Sequence, residues 1–290
     1  MKPAPFDYAR PETLSETVKL LASAGGEGKI IAGGQSLMPM LAFRLAAPKL
    51  LVDIGRLRDL TGIQMSPEGI DLGALVRWRD IEDSDEVARA HPLLSDAVRY
   101  VAHYQIRNRG TIGGSLAHAD PAAELPGIAL TCDATIDVVG NRGMRTIAAR
   151  DFFTGPLTTS LDSDEVIVRL RLPAWKVRRC WAFKEFARRK GDFALAGVAL
   201  FYDTDAQGKT VAPHFGAIGV SGTPVRLSAC EAALTGHDVD AKTVTHVAAR
   251  AAEGLEIHDD IHAPADYRRA LLQTLVDRAL RAAAGLKESA

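Results

Sequence analysis

The chain has 290 residues and the composition of an ordinary globular protein. Lys and Arg together number 35 against 36 for Asp and Glu, so no net field attracts nucleic acid or an anionic membrane. The length predicts about two domains. No apolar run approaches the roughly 20 residues that cross a bilayer, and the N-terminus has neither a signal-peptide nor a transit-peptide pattern. We therefore expect a cytoplasmic protein with no membrane insertion and no nucleic-acid partner.

Helix and strand patterns alternate over the first part of the chain. Residues 13–24 begin with a TLSE capping box and place apolar residues on one face, which predicts a helix. Short apolar runs at 29–32 and 49–54 predict buried strands, and 36–45 between them predicts a second helix. This order indicates parallel pairing through a right-handed crossover, and hence a small parallel βαβ subdomain over about residues 1–55.

From residue 56 onward the pattern is that of antiparallel strands. We predict strands over 69–81, in a hairpin formed by 134–140 and 143–149, and over 165–172. Helices are expected before Tyr100 and after Asp120. Along the last strand, the apolar residues expected on one face are Val166, Val168, Leu170 and Leu172.

Pro173 suggests a domain boundary near residue 175. The predicted division is therefore a first domain of residues 1–175, with subdomains of about 1–55 and 56–175, and a second domain of residues 176–290. In the second domain, three alternating runs up to residue 220 predict an antiparallel sheet, and helical periodicity dominates from Arg226 onward. The fold class that follows is α+β.

Two glycines follow the first predicted strand. Gly33 and Gly34 precede Ser36, at the start of a predicted helix, where free N–H groups and the helix dipole favour a phosphate. Glycine also lets a phosphate approach the backbone closely. The turn matches neither the Rossmann nor the P-loop pattern. Taken alone, it is equally consistent with an ordinary connection between a strand and a helix.

A second glycine pair makes the phosphate interpretation stronger. Gly113 and Gly114 are followed by Ser115, so two such turns could clamp one diphosphate. Asp120 and Pro121 read as a helix N-cap and first helical residue, which places Glu124 in the opening turn. Glu124 could bind a ligand hydroxyl or simply interact favourably with the helix dipole.

Other chemistries find little support in the sequence. Cys132, Cys180 and Cys230 are odd in number and far apart, so they indicate neither a disulfide framework nor a metal cluster. The spacing of His258 and His262 lacks a further ligand set. No serine lies in a nucleophile elbow.

The basic segment 183–193, FKEFARRKGDF, is typical of a solvated hairpin. It gains a function only if it folds over the same cleft as the glycine turns, where an aromatic plane and a lysine would suit a flat, electron-accepting ring.

These motifs together resemble the FAD-binding medium subunit of molybdenum hydroxylases, such as carbon monoxide dehydrogenase and quinoline 2-oxidoreductase; xanthine dehydrogenase carries the equivalent as an internal domain. The resemblance covers nearly the whole chain. The matching stretches are AGGQS (32–36), QIRNRG (105–110), TIGGS (111–115), DPAAELP (120–126) and KGDFALA (190–196). The family implies an N-terminal FAD-binding region of two α/β subdomains and a C-terminal domain of antiparallel sheet and helices.

The resemblance also implies which residues contact FAD, and it assigns no catalytic residue and no metal ligand to this chain. Phe193 stands where carbon monoxide dehydrogenase has tyrosine, and Gln35 replaces a histidine of some relatives. The diphosphate contacts implied on one side are Ala32, Gly33, Gly34, Gln35 and Ser36. Those implied on the other side are Thr111, Gly113, Gly114 and Ser115. The remaining implied contacts are Glu124 and, beside the isoalloxazine, Lys184, Asp192 and Phe193.

The family resemblance further implies an electron-transfer function. Electrons would leave a molybdenum-pterin cofactor on a large subunit, pass through [2Fe-2S] clusters on a small subunit, and reach FAD on this chain before an external acceptor. A dimer of heterotrimers is expected, with an aromatic N-heterocycle or another small molecule as the substrate of the complex. Two alternatives stay open: a non-redox protein that binds a nucleotide diphosphate, and an assembly subunit without a cofactor.

Overall fold

The computed structural model describes residues 2–287. Its strands form a three-stranded, a five-stranded, a four-stranded and a two-stranded sheet. The predicted α+β class is confirmed, because a parallel unit is followed by antiparallel sheets with helices.

The first sheet is parallel and has three strands. Its elements are β1 (Asp7–Ala9), α1 (Leu14–Ser23), β2 (Gly28–Ile31), α2 (Leu37–Ala42) and β3 (Leu50–Asp53). The strand order is β1-β3-β2, with both neighbours of β3 parallel to it. Thr13 caps α1 by accepting from the N–H of Glu16 at 3.2 Å. The predicted βαβ unit is confirmed, and β1 is an additional strand that joins it.

The second sheet is antiparallel and contributes to the largest apolar core. Its strands are β4 (Ile63–Ser66), β5 (Gly69–Gly73), β6 (Thr135–Gly140), β7 (Gly143–Ala148) and β10 (Val166–Pro173), in the order β4-β5-β10-β6-β7. A small hairpin, β8 (Phe153–Gly155) with β9 (Thr158–Thr159), follows β7. A short 3-10 helix spans Arg58–Leu60. The helices are α3 (Trp78–Glu82), α4 (Asp85–Ala90), α5 (Pro92–Val98), α6 (Tyr104–Arg107), α7 (Ile112–His118), α8 (Glu124–Thr131) and α9 (Ala149–Phe152).

The structure corrects two expectations in this region. The predicted strand over 69–81 ends at Gly73, and its second half is helix α3, which begins at Trp78. In β10, a register shift between Ile167 and Arg169 moves the apolar face. Ile167 therefore joins Leu170 in the large core, while Val166 faces the core of the first sheet.

The third sheet is an antiparallel meander covered by helices. Its strands are β11 (Cys180–Phe186), β12 (Ala196–Thr204), β13 (Thr210–Ile218) and β14 (Val225–Arg226), in that order. The helices that follow are α10 (Ser228–Leu234), α11 (Ala241–Ala249) and α12 (Ala265–Ala283). The face of the third sheet that points away from these helices adds side chains to the large core beside the second sheet, namely Phe183, Phe201 and Ile218. The turn between β11 and β12 is thereby held close to the first part of the chain. The exact domain division stays a prediction.

Candidate functional site

A cleft of about 530 Å³ brings together five separate parts of the chain. Its walls come from the turn after β2, the segment before α6, the start of α7, the β8–β9 region and the turn between β11 and β12. This size is within the range of pockets that hold small molecules and cofactors. The cleft lies between elements that are distant in sequence, so only the folded chain creates it.

The first glycine turn offers unpaired backbone donors to this cleft. Gly34 has a φ of 71°, which glycine adopts without strain, and Ser36 directly precedes α2. The Gln35 side chain donates to the carbonyl of Gly33 at 2.9 Å and so folds back on the turn. Among residues 2–287, no acceptor is found for the N–H groups of Gly34, Gln35 and Ser36. These three donors line the cleft and are available to an anion.

Gly33 packs the two glycine segments against one another. A Cβ built on Gly33 would lie 2.1 Å from the carbonyl oxygen of Arg109 and 2.9 Å from Cα of Gly110. These are backbone atoms that cannot easily move. Only glycine therefore permits this close approach, and the approach brings the first turn beside the segment that leads into the second.

The second glycine turn is built differently from the first. The N–H groups of Ile112 and Gly113 donate to the carbonyls of Val76 and Ala74, at 2.9 and 2.8 Å. The N–H of Gly114 donates to Oγ1 of Thr111 at 3.2 Å. The start of α7 is consequently docked on the chain that follows β5, and its first amides are already paired. This side of the cleft offers side-chain hydroxyls rather than a set of free N–H groups.

Glu124 occupies the cleft wall at the first residue of α8. The helix starts here and not at Pro121, because Asp120 Oδ1 accepts from the N–H of Ala122 at 2.9 Å in a turn of its own. This corrects the expected capping pattern while leaving Glu124 in the first turn. Burial raises the pKa of Glu124 to about 7, and the charge of Asp120 adds to the rise.

The turn between β11 and β12 does fold over the cleft. Asp192 and Phe193 both line it, and Phe193 keeps 63% of its surface exposed. Gly191, with a φ of 87°, packs on His103: a Cβ there would lie 2.4 Å from Cε1 of that imidazole. The exposed ring of Phe193 thus stands free at the cleft, where a flat ligand ring could contact it.

The structure places every residue predicted for the site on the cleft wall except one. The residues on the wall are Ala32, Gly33, Gly34, Gln35, Ser36, Thr111, Gly113, Gly114, Ser115, Glu124, Asp192 and Phe193. Lys184 does not line the cleft. It alternates with Phe183 along β11 and so faces the same side as Ala182, which belongs to the core under the C-terminal helices. The predicted contact of Lys184 with a cofactor stays a prediction.

The sequence did not reveal two features of the cleft and its surroundings. Leu157 and Leu161 supply an apolar wall, but isolated leucines in a loop carry no recognisable signal. Glu185, the neighbour of Lys184, turns toward the cleft side of the sheet. Burial raises the pKa of Glu185 to about 9, and the charge of Glu124 adds to the rise.

Over residues 2–287, no group of three or more His, Cys, Asp or Glu is positioned to hold a metal ion. Cys132 and Cys230 are buried and Cys180 is half-buried, and none of the three forms a disulfide bond. Burial raises the pKa of the Cys132 and Cys230 thiols, as for inert packing residues. None of the described helices is both long and apolar enough to cross a bilayer.

Two family models match consecutive parts of the chain. Residues 4–175 match the FAD binding domain in molybdopterin dehydrogenase. Residues 181–283 match the CO dehydrogenase flavoprotein C-terminal domain.

Individual relatives match over almost their full length. The chain is 39% identical to the 6-hydroxypseudooxynicotine dehydrogenase complex subunit alpha of Paenarthrobacter nicotinovorans, covering 97% of this chain and 95% of that one. It is 38% identical to the nicotine 6-hydroxylase medium subunit of the same organism, covering 97% and 98%.

Solved structures of such proteins share the fold. A chain of carbon monoxide dehydrogenase from Hydrogenophaga pseudoflava has a TM-score of 0.94 at 36% identity, covering 98% of this chain and 99% of that one. A chain of quinoline 2-oxidoreductase from Pseudomonas putida 86 has a TM-score of 0.93 at 38% identity, with the same coverage. This chain therefore belongs to the family of FAD-binding flavoprotein subunits of molybdenum-containing oxidoreductases.

Proposed function

We propose that this chain binds FAD in the cleft and serves as the electron-transfer subunit of a heterotrimeric molybdenum hydroxylase. The observation that carries the proposal is the set of unpaired N–H donors of Gly34, Gln35 and Ser36, in a cleft that also presents the exposed ring of Phe193. Backbone N–H groups that can bind an anion, together with an exposed aromatic ring, suit a dinucleotide that has a diphosphate and a flat ring.

The diphosphate would be held between the two glycine turns. Gly34, Gln35 and Ser36 would donate from the first turn, with Ala32 and Gly33 shaping it. From the second turn, the hydroxyls of Thr111 and Ser115 would contribute, while Gly113 and Gly114 keep the wall free of side chains. Glu124, Asp192 and Phe193 would contact the rest of the cofactor. When bound, FAD supplies the storage of electrons, and the protein supplies orientation, electrostatics and exclusion of water.

The partners proposed are a large subunit with the molybdenum-pterin cofactor and a small subunit with [2Fe-2S] clusters. Relatives are named as medium subunits or chains, among them those of nicotine 6-hydroxylase and carbon monoxide dehydrogenase, which supports a place among larger and smaller partners. This chain would accept electrons from the small subunit and pass them to an external acceptor. A dimer of heterotrimers is the assembly we propose.

An aromatic N-heterocycle is the proposed substrate of the complex, bound on the large subunit. The names of relatives that act on nicotine, caffeine and quinoline support this class. We propose a cytoplasmic location, which the three unpaired cysteines support.

Two other functions predict different behaviour. A non-redox protein for a nucleotide diphosphate would bind ADP and FAD equally well, because only the diphosphate end would matter. An assembly subunit without cofactor would bind neither. Titration of the purified chain with FAD, FMN and ADP, followed by flavin absorption and calorimetry, tests these possibilities. We expect FAD to bind much more tightly than ADP; equal affinity, or no binding with partners present, would contradict the proposal.

A further inference from the structure

A buried arginine of the last helix contacts two backbone segments beside the cofactor cleft. Arg268 lies near the start of α12 and keeps only 5% of its surface exposed. Its Nη1 atom donates to the backbone carbonyl of Leu195 at 2.6 Å, and the same atom donates to the carbonyl of Gly219. One guanidinium nitrogen therefore joins the residue before β12 to the turn that follows β13.

Leu195 ends the turn between β11 and β12, which carries two residues of the cleft wall. Its N–H donates to the carbonyl of Phe186 at 2.8 Å, and this bond closes the base of the turn. Phe193 and Asp192, both on the cleft wall, stand two and three residues before Leu195. Because Arg268 binds the carbonyl of Leu195, both polar groups of that residue's backbone are held just beyond the exposed phenyl ring.

Gly219 connects the same arginine to the opposite wall of the cleft. Its N–H donates to the carbonyl of Pro121 at 2.9 Å, and Pro121 lies three residues before Glu124 on the cleft wall. Gly219 has a φ of 74° and packs closely on the turn, since an added Cβ would lie 2.7 Å from the carbonyl oxygen of Ala194. The turn and the segment before α8 therefore meet at this glycine, and Arg268 binds both sides of the junction.

An aspartate in the loop before α12 orients the guanidinium. Asp260 Oδ2 accepts from Nη2 of Arg268 at 2.6 Å and supplies the counter-charge that a buried cation needs. Asp260 Oδ1 accepts from the N–H groups of His262 and Ala263, at 2.8 and 2.9 Å, so the carboxylate is itself fixed. The stretch HDDIH at 258–262 thus serves to hold Arg268 in place.

The arrangement depends on the shape of an arginine side chain. A guanidinium is planar and carries five N–H donors in a fixed fork, so its two terminal nitrogens reach acceptors on three different segments. A lysine ammonium could keep a positive charge opposite Asp260, but it is a single point of donors on a flexible stem. We therefore expect Arg268→Lys to keep the ion pair and to lose the simultaneous contact with Leu195 and Gly219.

We propose that Arg268 is a positioning residue for FAD and does not itself contact the cofactor. It is not among the described residues that line the cleft. The bond to Leu195 sets the place of the Phe193 ring in the cleft. The bond to Gly219 sets the place of the segment that leads to Glu124. This role toward FAD rests on the proposed function, whereas the hydrogen bonds behind it belong to the chain alone.

The positioning is tested first on the full chain without cofactor, by hydrogen exchange of the backbone amides. In Arg268→Lys, we expect the amides of residues 187–195 to exchange about tenfold faster relative to those of β6, because the turn opens locally. Arg281→Lys is the matched control, since Arg281 is 9% exposed on the same helix and pairs with Asp277 within it. It should leave exchange in the turn unchanged. Equal exchange in the two variants would overturn the positioning whether or not FAD binds.

A milder substitution keeps the test decisive where Arg268→Lys fails to fold. The Asp260 side chain is 46% exposed, and an asparagine oxygen there could still accept from the N–H of Ala263. We expect Asp260→Asn to fold and to raise exchange in residues 187–195 by a smaller factor, because the guanidinium loses its charged partner. A folded Asp260→Asn protein with parent exchange in this turn would also overturn the inference.

The consequence for the cofactor is tested on the FAD-loaded chain, by iodide quenching of the flavin fluorescence. A displaced Phe193 exposes the flavin ring, so Arg268→Lys should raise the quenching constant to the level of Phe193→Ala. The double variant should show no further rise, because both substitutions act through the same ring. Arg281→Lys should keep the parent value.

Two results of this quenching experiment have different meanings. An unchanged constant in Arg268→Lys, or additive effects in the double variant, would overturn the positioning role while FAD binding by the parent chain leaves the proposed function intact. A parent chain that takes up no FAD would instead contradict the proposed function.

Discussion

Gly114→Val separates cofactor binding from folding, because this glycine lies at the cleft and has few neighbours. Of the surrounding heavy atoms, only Oγ1 of Thr111 would lie within 4 Å of an added Cβ, at 2.8 Å. A larger side chain therefore extends into open space on the cleft wall. We expect it to occupy volume that the diphosphate needs.

The cost to folding follows from two opposing effects. Replacing glycine inside a helix gains a few tenths of a kcal/mol or more, up to about 1 kcal/mol for alanine. Displacing the Thr111 cap costs about 1 kcal/mol. The free energy of unfolding should therefore remain within about 1 kcal/mol of the parent protein, which urea unfolding measures.

The effect on FAD should be much larger than the effect on stability. We expect the Kd for FAD to rise at least tenfold, which corresponds to about 1.4 kcal/mol. Thr13→Ala is the matched control, because Thr13 caps α1 with the same 3.2 Å geometry far from the cleft. It should lose a similar cap energy and keep its FAD. A folded Gly114→Val protein with unchanged FAD affinity would refute the reasoning.

Three further changes test other parts of the account. Gly33→Ala should lower the free energy of unfolding by several kcal/mol in urea, because its Cβ overlaps the Arg109 carbonyl; near-native stability would contradict the close approach. Phe193→Ala should alter stability by less than about 0.5 kcal/mol, since the ring is exposed, yet weaken FAD binding and raise flavin fluorescence; an unchanged flavin signal would remove Phe193 from the site. Folding raises the pKa of Glu185, so between about pH 5 and 9 the folded state holds a proton that the unfolded state releases, and the free energy of unfolding falls as the pH rises. Glu185→Gln should flatten this part of the pH profile measured by urea unfolding. An unchanged slope would contradict a raised pKa of Glu185.

Local patterns predicted the elements that frame the cleft. The strand, glycine turn and helix around Gly33 follow from short-range signals, as does the hairpin that pairs Gly140 with Gly143. The strand Asp7–Ala9 was not predicted, because its three residues, two of them exposed, gain their pairing only from β3.

The missed features depend on contacts between distant residues. The bulge after Ile167 exchanges the faces of β10, and no alternation pattern reveals it. The amides of Ile112 and Gly113 look free in the sequence, but Val76 and Ala74 accept from them in the folded chain. Whether Lys184 or Glu185 faces the cleft side of the sheet likewise depends on how the side chains of β11 alternate between its two faces, which tertiary packing sets.

The central claim, that the cleft holds FAD, is tested most directly by the visible absorption spectrum of the chain purified with its partners, followed by release of the cofactor on denaturation. We predict a two-banded flavin spectrum and released FAD roughly equimolar with the chain. A colourless chain that also fails to take up added FAD in the presence of its partners would contradict the account.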